Sequence, residues 1–369
     1  MTGRDEIWQR IVSGEIRTPA DRLVAAGLRA LSLGYGLALR AHLGGYRLGL
    51  AKRTRLKALV ISIGNLTVGG TGKTTSCLAV ADYLHRQGRR VAVLSRGYRG
   101  ASERSARIVS EGAGPKVGVQ VTGDEPYLIA QALPEVRVLV GRDRRQTGRL
   151  AVDELAADTI VLDDGFQYQR LARDLDIVLV DALLPFGYDF LVPRGLLREP
   201  VSHLARADAV WLTHSDLVRR DDLDAIRARV EAVAPGARVW ETRHAPVGLR
   251  SIAGEIRYPP DSLRGIRVCA LSSLGSPVAF ERSLERLGAE VIPARFPDHH
   301  PYTPQEVREV ALREDRAEWI VTTEKDAVRL PREALEKPTW VLEVRLAPRS
   351  GVSSLAEELG YLLRVKGER

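Results

Sequence analysis

The chain of 369 residues predicts an α/β protein: a mainly parallel sheet, a smaller second α/β unit and an amphipathic helical leader. Three observations predict it. Short runs rich in Val, Ile and Leu recur along the chain, as buried parallel strands require. Segments with helical spacing alternate with them. A basic, glycine-interrupted stretch of different character precedes the first strand.

Composition is that of a globular protein, 44% hydrophobic and 28% charged. The length suffices for one large core or two smaller ones. Cys77 and Cys269 cannot make a disulfide framework, and no secretory signal with a cleavage site is read, which fits a reducing, cytosolic setting. No uncharged apolar run reaches about 18 residues, so no transmembrane helix is expected.

Residues 1–58 hold eleven Arg/Lys against four Asp/Glu, whereas the rest of the chain holds 44 against 43. A basic leader on a near-neutral body indicates an anionic contact: a membrane surface, a nucleic acid or an acidic ligand. At roughly 100° per residue, Arg22, Arg29, Arg40 and Arg47 fall near one line, with Leu28, Leu31, Leu39 and Leu43 away from it. Gly27, Gly34, Gly36, Gly44 and Gly45 predict one or two shorter helices rather than a single rod. Such a leader either lies in a membrane interface or packs on the body with its arginines in water. No aromatic-interleaved basic patch supports a nucleic acid partner.

Residues 57–63, KALVISI, suit the first buried strand. Residues 63–75 read IGNLTVGGTGKTT, and a helix follows with Leu78, Val80, Ala81 and Leu84 at helical spacing and Gly88 as its stop. RRVAVLSRGY is a second strand. This β–loop–α–β order is the setting of a phosphate-binding loop, so the sheet is P-loop NTPase-like. Thr67, Val68, Gly69, Gly70, Thr71, Gly72, Lys73, Thr74 and Thr75 are the nucleotide-binding candidates. The glycines let backbone N–H groups converge on phosphate, Lys73 would reach the β and γ phosphates, and the Thr74 hydroxyl would serve Mg²⁺. Thr67 replaces the first glycine of the strict pattern, at an entry position that needs a particular turn more than phosphate contact. Val68 stands where partition-type ATPases carry a signature lysine, which argues against that class.

Further along, DTIVLDDG at 158–165 ends a strand in Asp163 and Asp164, either Mg²⁺ ligands or solvated acids at a loop entry. GDEP at 123–126 sets Asp124 and Glu125 before the apolar YLIAQAL and also reads as a plain helix start. FPDHHPY at 296–302 is weak as a metal site without further ligands; a histidine oriented by a carboxylate is the alternative. WIVTTEKDAVRL at 319–330 is a strand-end loop that faces a nucleotide or caps a helix.

In this order, these segments resemble the tetraacyldisaccharide 4′-kinase family, the lipid A 4′-kinases. The matching pieces are VISIGNLTVGGTGKT at 60–74, SRGYRG at 95–100, GDEP at 123–126 and DDGFQ at 163–167. VPRGLLREP at 192–200, FPDHHPYT at 296–303 and TTEKDAVRL at 322–330 complete the set. Thr67 belongs to that family's version of the loop. The resemblance implies transfer of the ATP γ-phosphate, with Mg²⁺, to the 4′-hydroxyl of a lipid-embedded glucosamine disaccharide 1-phosphate, the lipid A precursor. It places the enzyme on the cytoplasmic face of the inner membrane of a Gram-negative-type bacterium, held there by the leader, with no obligate protein partner. Carried onto this chain, Lys73 and Thr74 serve phosphate and Mg²⁺, and Asp124 with His299 accepts the hydroxyl proton. Glu125 with Asp163 or Asp164 or both holds Mg²⁺, while Tyr98, Arg194 and Arg198 line the acceptor side. His299 is preferred to His300 because it follows Asp298 in the family's Asp-His pair. Thr75 and Tyr168 depart from the proline and histidine of many members. The rival readings are a partition-type ATPase switch and a non-catalytic, membrane-associated nucleotide-binding module.

The expected organisation is therefore a leader over 1–58, a kinase core over 59–245 and a smaller α/β unit with a final helix over 246–369. Strands are expected at VAVLSRG, VRVLVG, TIVLDDG, DIVLVDA and AVWLTHS. In the second unit, RVCALSSLGSPVAFERSLERLGAEVIPARF from about Arg267 reads as strand, helix and strand, and WIVTTEKDAVRL adds another strand. Around ETRHAPVGLRS the pattern loosens.

Overall fold

The computed structural model describes residues 8–367 apart from positions 9, 99, 101–104, 276 and 315. Arg99 of the SRGYRG segment and the charged residues Arg4, Asp5 and Glu6 lie outside the described residues.

The first half contributes β1 (Leu59–Asn65), β2 (Val91–Ser95), β3 (Arg107–Glu111), β4 (Arg137–Val140), β5 (Thr159–Asp163), β6 (Leu175–Asp181) and β7 (Ala209–Thr213). The second adds β8 (Arg238–Ser251), β9 (Arg257–Tyr258), β10 (Arg267–Ser272), β11 (Glu290–Arg295), β12 (Trp319–Thr323) and β13 (Thr339–Pro348). Among the described residues they form one sheet in the order β11-β10-β12-β13-β8-β7-β6-β1-β5-β2-β4-β3, with β9 paired to β8. β1 lies between β5 and β6, parallel to both, and every residue of it after Leu59 is buried. That is why the first strand reads as continuous apolar sequence.

β8 was not anticipated. The loosened stretch is a 14-residue strand, parallel to β7 at one end and antiparallel to β13 at the other. It therefore joins the two halves, and residue 245 falls within it. Its burial has no period of two, because one end lies inside the parallel sheet and the other is half covered. β3 and β13 carry the antiparallel pairings that the strand runs did not announce.

The phosphate-loop helix, Lys73–Arg86, buries Cys77, Val80, Ala81 and Leu84 against the sheet. The final helix, Leu355–Gly367, inserts Leu359 and Leu362 into the same core, beside Trp211 and Trp240. Those indoles meet edge to face at 4.8 Å, and Trp240 Nε1 donates to the Ser353 carbonyl at 2.9 Å. Each such buried apolar side chain stabilises the fold by about 1.5–3 kcal/mol.

The glycine-interrupted part of the leader forms one continuous 29-residue helix, Pro19–Arg47, rather than one or two shorter ones. A capping box between Thr18 and Asp21, with Pro19 in the first turn, starts it. Its glycines cost helix propensity, yet the helix has a tertiary seam that offsets this. Ala25, Ser32 and Leu43 are buried along one face, with Leu28 and Leu39 half-buried between them. Leu23, Leu31, Leu33 and Leu37 project outward at 64–77% exposure. By length and composition this helix suffices to cross a membrane, although arginines interrupt its apolar runs.

Candidate active site

The cleft lies where the carboxyl ends of β1, β5 and β7 face β10, β12 and the 296–300 segment. It encloses about 600 Å³ and is lined by residues from both halves. Parallel strands collect ligand groups at this edge because helices and loops leave from it.

Gly72 opens the phosphate-loop helix with φ +84°, and a Cβ there would stand 2.5 Å from His244 Nε2. Only glycine fits that turn. Thr71 is buried; Asn65 Nδ2 donates to its Oγ1 at 2.8 Å, and Thr213 Oγ1 donates to its carbonyl at 3.1 Å. At the loop entry, Thr67 makes an antiparallel bridge to Leu197, and Val68 N–H donates to the Leu196 carbonyl at 2.8 Å. That pairing explains the departure from the strict motif: the position is an extended bridge, which suits a β-branched residue. From the opposite half, Gly275 approaches so closely that a Cβ would lie 3.2 Å from Gly70 N.

Lys73 Nζ donates to Asn65 Oδ1 at 3.3 Å and lies 3.9 Å from Asp164. Arg198 holds both Asp164 oxygens, at 2.7 Å each, and also bonds Asn65 Oδ1. Asp164 is half-buried at the cleft, which alone would raise its carboxyl, but Lys73 and Arg198 hold it well below the usual carboxylate range. Asp163 behaves oppositely. Burial, with Glu125 and Asp164 nearby, pushes it up to about 6, although Ser95 Oγ donates to it at 2.8 Å. Adjacent acids thus differ because only one of them meets two cations.

Across the cleft, Asp124 opens the helix Asp124–Ala132, so the helix-start reading of GDEP also holds. Its Oδ2 lies 2.8 Å from His299 Nδ1 and 3.3 Å from Arg329 Nε. His300 turns away to Glu306 at 3.0 Å. Lys325 Nζ donates to His299 Nε2 at 3.1 Å and lies 3.4 Å from Glu125 and 3.6 Å from Asp298. Burial opposes the Lys325 charge, but Glu125, Asp298 and Asp124 outweigh it and raise its pKa. The Tyr98 ring stands edge-on to His299 at 5.8 Å.

Thus Thr67–Thr75 backbone and side chains, Glu125, Asp163, Asp164, Arg198, Tyr98 and His299 all line one cleft, with Asp124 behind His299. Arg194 does not join them. It is buried, its guanidinium donates to the carbonyls of Ile11 and Val12, and it stacks over Phe190 at 4.6 Å. Tyr168 also points elsewhere, donating to Asp143 at 2.7 Å. Sequence reading assigned no role to Asn65, Lys325 or Arg329. All three stand inside the quoted motifs, but nothing local distinguishes them from loop and cap residues.

The model of the family described as tetraacyldisaccharide-1-P 4′-kinase, LpxK, matches residues 24–360. A tetraacyldisaccharide 4′-kinase of Anaeromyxobacter dehalogenans (strain 2CP-C) is 49% identical over 337 residues, covering 89% of this chain and 86% of its own. The chain belongs to the tetraacyldisaccharide 4′-kinase family. A second relative, from Syntrophus aciditrophicus (strain SB), is 41% identical over 90% of this chain and 92% of its own. The crystal structure of LpxK from Aquifex aeolicus in complex with ATP superposes with a TM-score of 0.71 at 32% identity, covering 93% of this chain and 99% of that one. This kinase therefore uses ATP to phosphorylate the 4′-hydroxyl of the tetraacyldisaccharide 1-phosphate in lipid A synthesis, and the ATPase-switch and binding-module readings fall away.

Proposed function

We propose that the reaction runs between the phosphate loop and the Asp124–His299 pair. ATP lies along residues 67–75, with Lys73 on its β and γ phosphates. The 4′-oxygen of the acceptor attacks the γ-phosphorus, the bond from that phosphorus to the β–γ bridging oxygen breaks, and ADP leaves. Asp124 holds the proton on His299 Nδ1, and the hydroxyl proton passes to His299 Nε2, where the acceptor hydroxyl takes the place of the Lys325 ammonium. A sugar hydroxyl is a poor nucleophile near neutral pH, so a positioned acceptor of its proton speeds the step. The observation that carries this reading is the 2.8 Å contact between Asp124 and His299 in the wall of the cleft that Lys73 also lines.

Mg²⁺ fits the same site. Asp163 is a buried carboxyl crowded by two other acids, a placement that a cation would relieve. Among the described residues no three His, Cys, Asp or Glu side chains form a metal cage by themselves. This suits an ion that takes most of its oxygens from phosphate and water. Thr74, Asp163 and Glu125 would hold it, with Asp164 kept in place by Lys73 and Arg198, and the ion would neutralise charge on the transferring phosphoryl group.

The leader serves as the membrane seat. Its outward leucines dip into the interface and Arg22, Arg40 and Arg47 meet anionic headgroups on the cytoplasmic face of the inner membrane. Residues 59–245 and 246–369 act as two functional units around the cleft, without an obligate protein partner. The acceptor's sugars lie near Tyr98, which lines the cleft beside His299.

Purified enzyme, Mg-ATP and the tetraacylated disaccharide 1-phosphate in detergent micelles test the chemistry. Asp124→Asn and His299→Ala are expected to bind ATP normally and form little bisphosphorylated lipid. Normal product formation by either variant would remove the pair from the proton step.

A further inference from the structure

We infer that the leader is tied mechanically to the ATP site, and that Tyr35 and Ser32 are positioning residues for phosphoryl transfer. The inference rests on the membrane reading of the leader only in that the same helix would perform both tasks.

The connection runs through residues 190–198. Ser32 is buried at the helix seam, an unusual place for a hydroxyl. Its hydroxyl hydrogen is shared between the Leu191 carbonyl at 2.8 Å and the Leu28 carbonyl of its own helix at 2.9 Å, and its Oγ accepts from Arg194 N–H at 3.0 Å. It thus grips both ends of one turn. One helical turn further on, Tyr35 OH donates to the Arg198 carbonyl at 2.8 Å. Gly36 lets the helix approach until a Cβ would lie 3.0 Å from Leu191 Cδ1.

The same segment is hydrogen-bonded to the phosphate loop on its other side. Arg198 N–H donates to the Leu66 carbonyl at 2.7 Å, and Val68 N–H donates to Leu196 at 2.8 Å. The Arg198 guanidinium then grips Asp164 with both arms and bonds the carbonyl of Asn65 at 3.1 Å. Asn65 in turn holds Lys73 and Thr71. One residue, Arg198, is therefore fixed by the leader at its carbonyl, by the loop entry at its N–H and by Asp164 at its side chain.

Ser32 is buried away from any lipid face, and the Tyr35 hydroxyl is turned to the 190–198 backbone rather than to an interface. Their hydroxyls are spent on the segment that shapes the loop entry. When the leader shifts, the backbone of Arg198 shifts with it, and the Asp164 carboxylate and the Lys73 ammonium lose their set positions.

The test compares Tyr35→Phe and Ser32→Ala with a triple variant, Leu23→Gln, Leu31→Gln and Leu37→Gln, in the full chain. Equilibrium binding of a fluorescent ATP analogue in detergent, kcat and KM for ATP, and flotation on vesicles containing anionic lipid are measured. Tyr35→Phe and Ser32→Ala are each expected to bind the analogue about fivefold more weakly, as loss of one net hydrogen bond implies, with flotation unchanged. The triple variant is expected to lose flotation and keep ATP binding. Wild-type ATP binding and turnover in both hydroxyl variants would overturn the inference. A triple variant that still floats would overturn the membrane reading and leave the positioning role standing.

Discussion

His299 Nδ1 stands 2.8 Å from Asp124 Oδ2, although 175 positions separate the two residues. Asp124 starts a helix of the first half and His299 lies just past β11 of the second, so the pair exists only when the two halves are closed on each other. His299 adopts φ +58°, a strained backbone for a histidine, which Lys325 and Asp124 hold from either side of its ring.

If the two act as one proton acceptor, their losses overlap. Asp124→Asn and His299→Ala are each expected to lower kcat by about 10²–10⁴-fold, with a double variant little worse than either. Steady-state turnover of the micellar acceptor measures this. Losses that multiply would mean independent roles.

Lys73→Ala removes the ammonium proposed to meet the phosphates, which also helps hold the Asp164 carboxyl down. Turnover is expected to fall by about 10²–10³-fold. Full activity would mean that phosphate binds elsewhere.

Arg194 and Arg198 are four residues apart and do different work. Arg198→Ala should cripple ATP turnover, since it frees both Asp164 oxygens. Arg194→Ala should leave the acceptor KM near wild type but free residues 11–12, at a cost of about 1.5–3 kcal/mol for a charged hydrogen bond. Limited proteolysis near that segment reads the second effect. A large rise in acceptor KM for Arg194→Ala would restore its expected role at the acceptor.

His244 carries a pH prediction. Burial, with His214 4.4 Å away, holds its imidazole well below the ordinary value. The unfolded chain therefore takes up this proton first as pH falls below about 6.5. Stability from this site is complete above that pH and declines beneath it, by up to about 1.4 kcal/mol per pH unit. Thermal unfolding of wild type and His244→Gln between about pH 5 and pH 7 checks it; parallel profiles would show that His244 does not contribute.

Much of the site was legible because its pieces are local. A phosphate loop needs a strand, glycines and Gly-Lys-Thr at a helix mouth within a dozen residues, and chain order alone preserves that. Asp163 and Asp164 were legible for the same reason, at the end of an apolar run. The long leader helix was not, because glycines that weaken an isolated helix are tolerated where a neighbour such as Leu191 packs against one of them. Nor was β8, whose mixed pattern reflects two different sheet environments along one strand.

The sequence by itself determined the nucleotide loop, the parallel sheet and the family, since each rests on residues adjacent in the chain or on ordered motifs. Only the tertiary structure decided which carboxyl at 163–164 is held charged, which histidine meets Asp124, and that Arg194 serves the leader while Arg198 serves the loop. Those outcomes depend on groups far apart in sequence being brought within hydrogen-bond distance. Charge, desolvation and donor geometry act through space, and spacing along a chain does not encode them one position at a time.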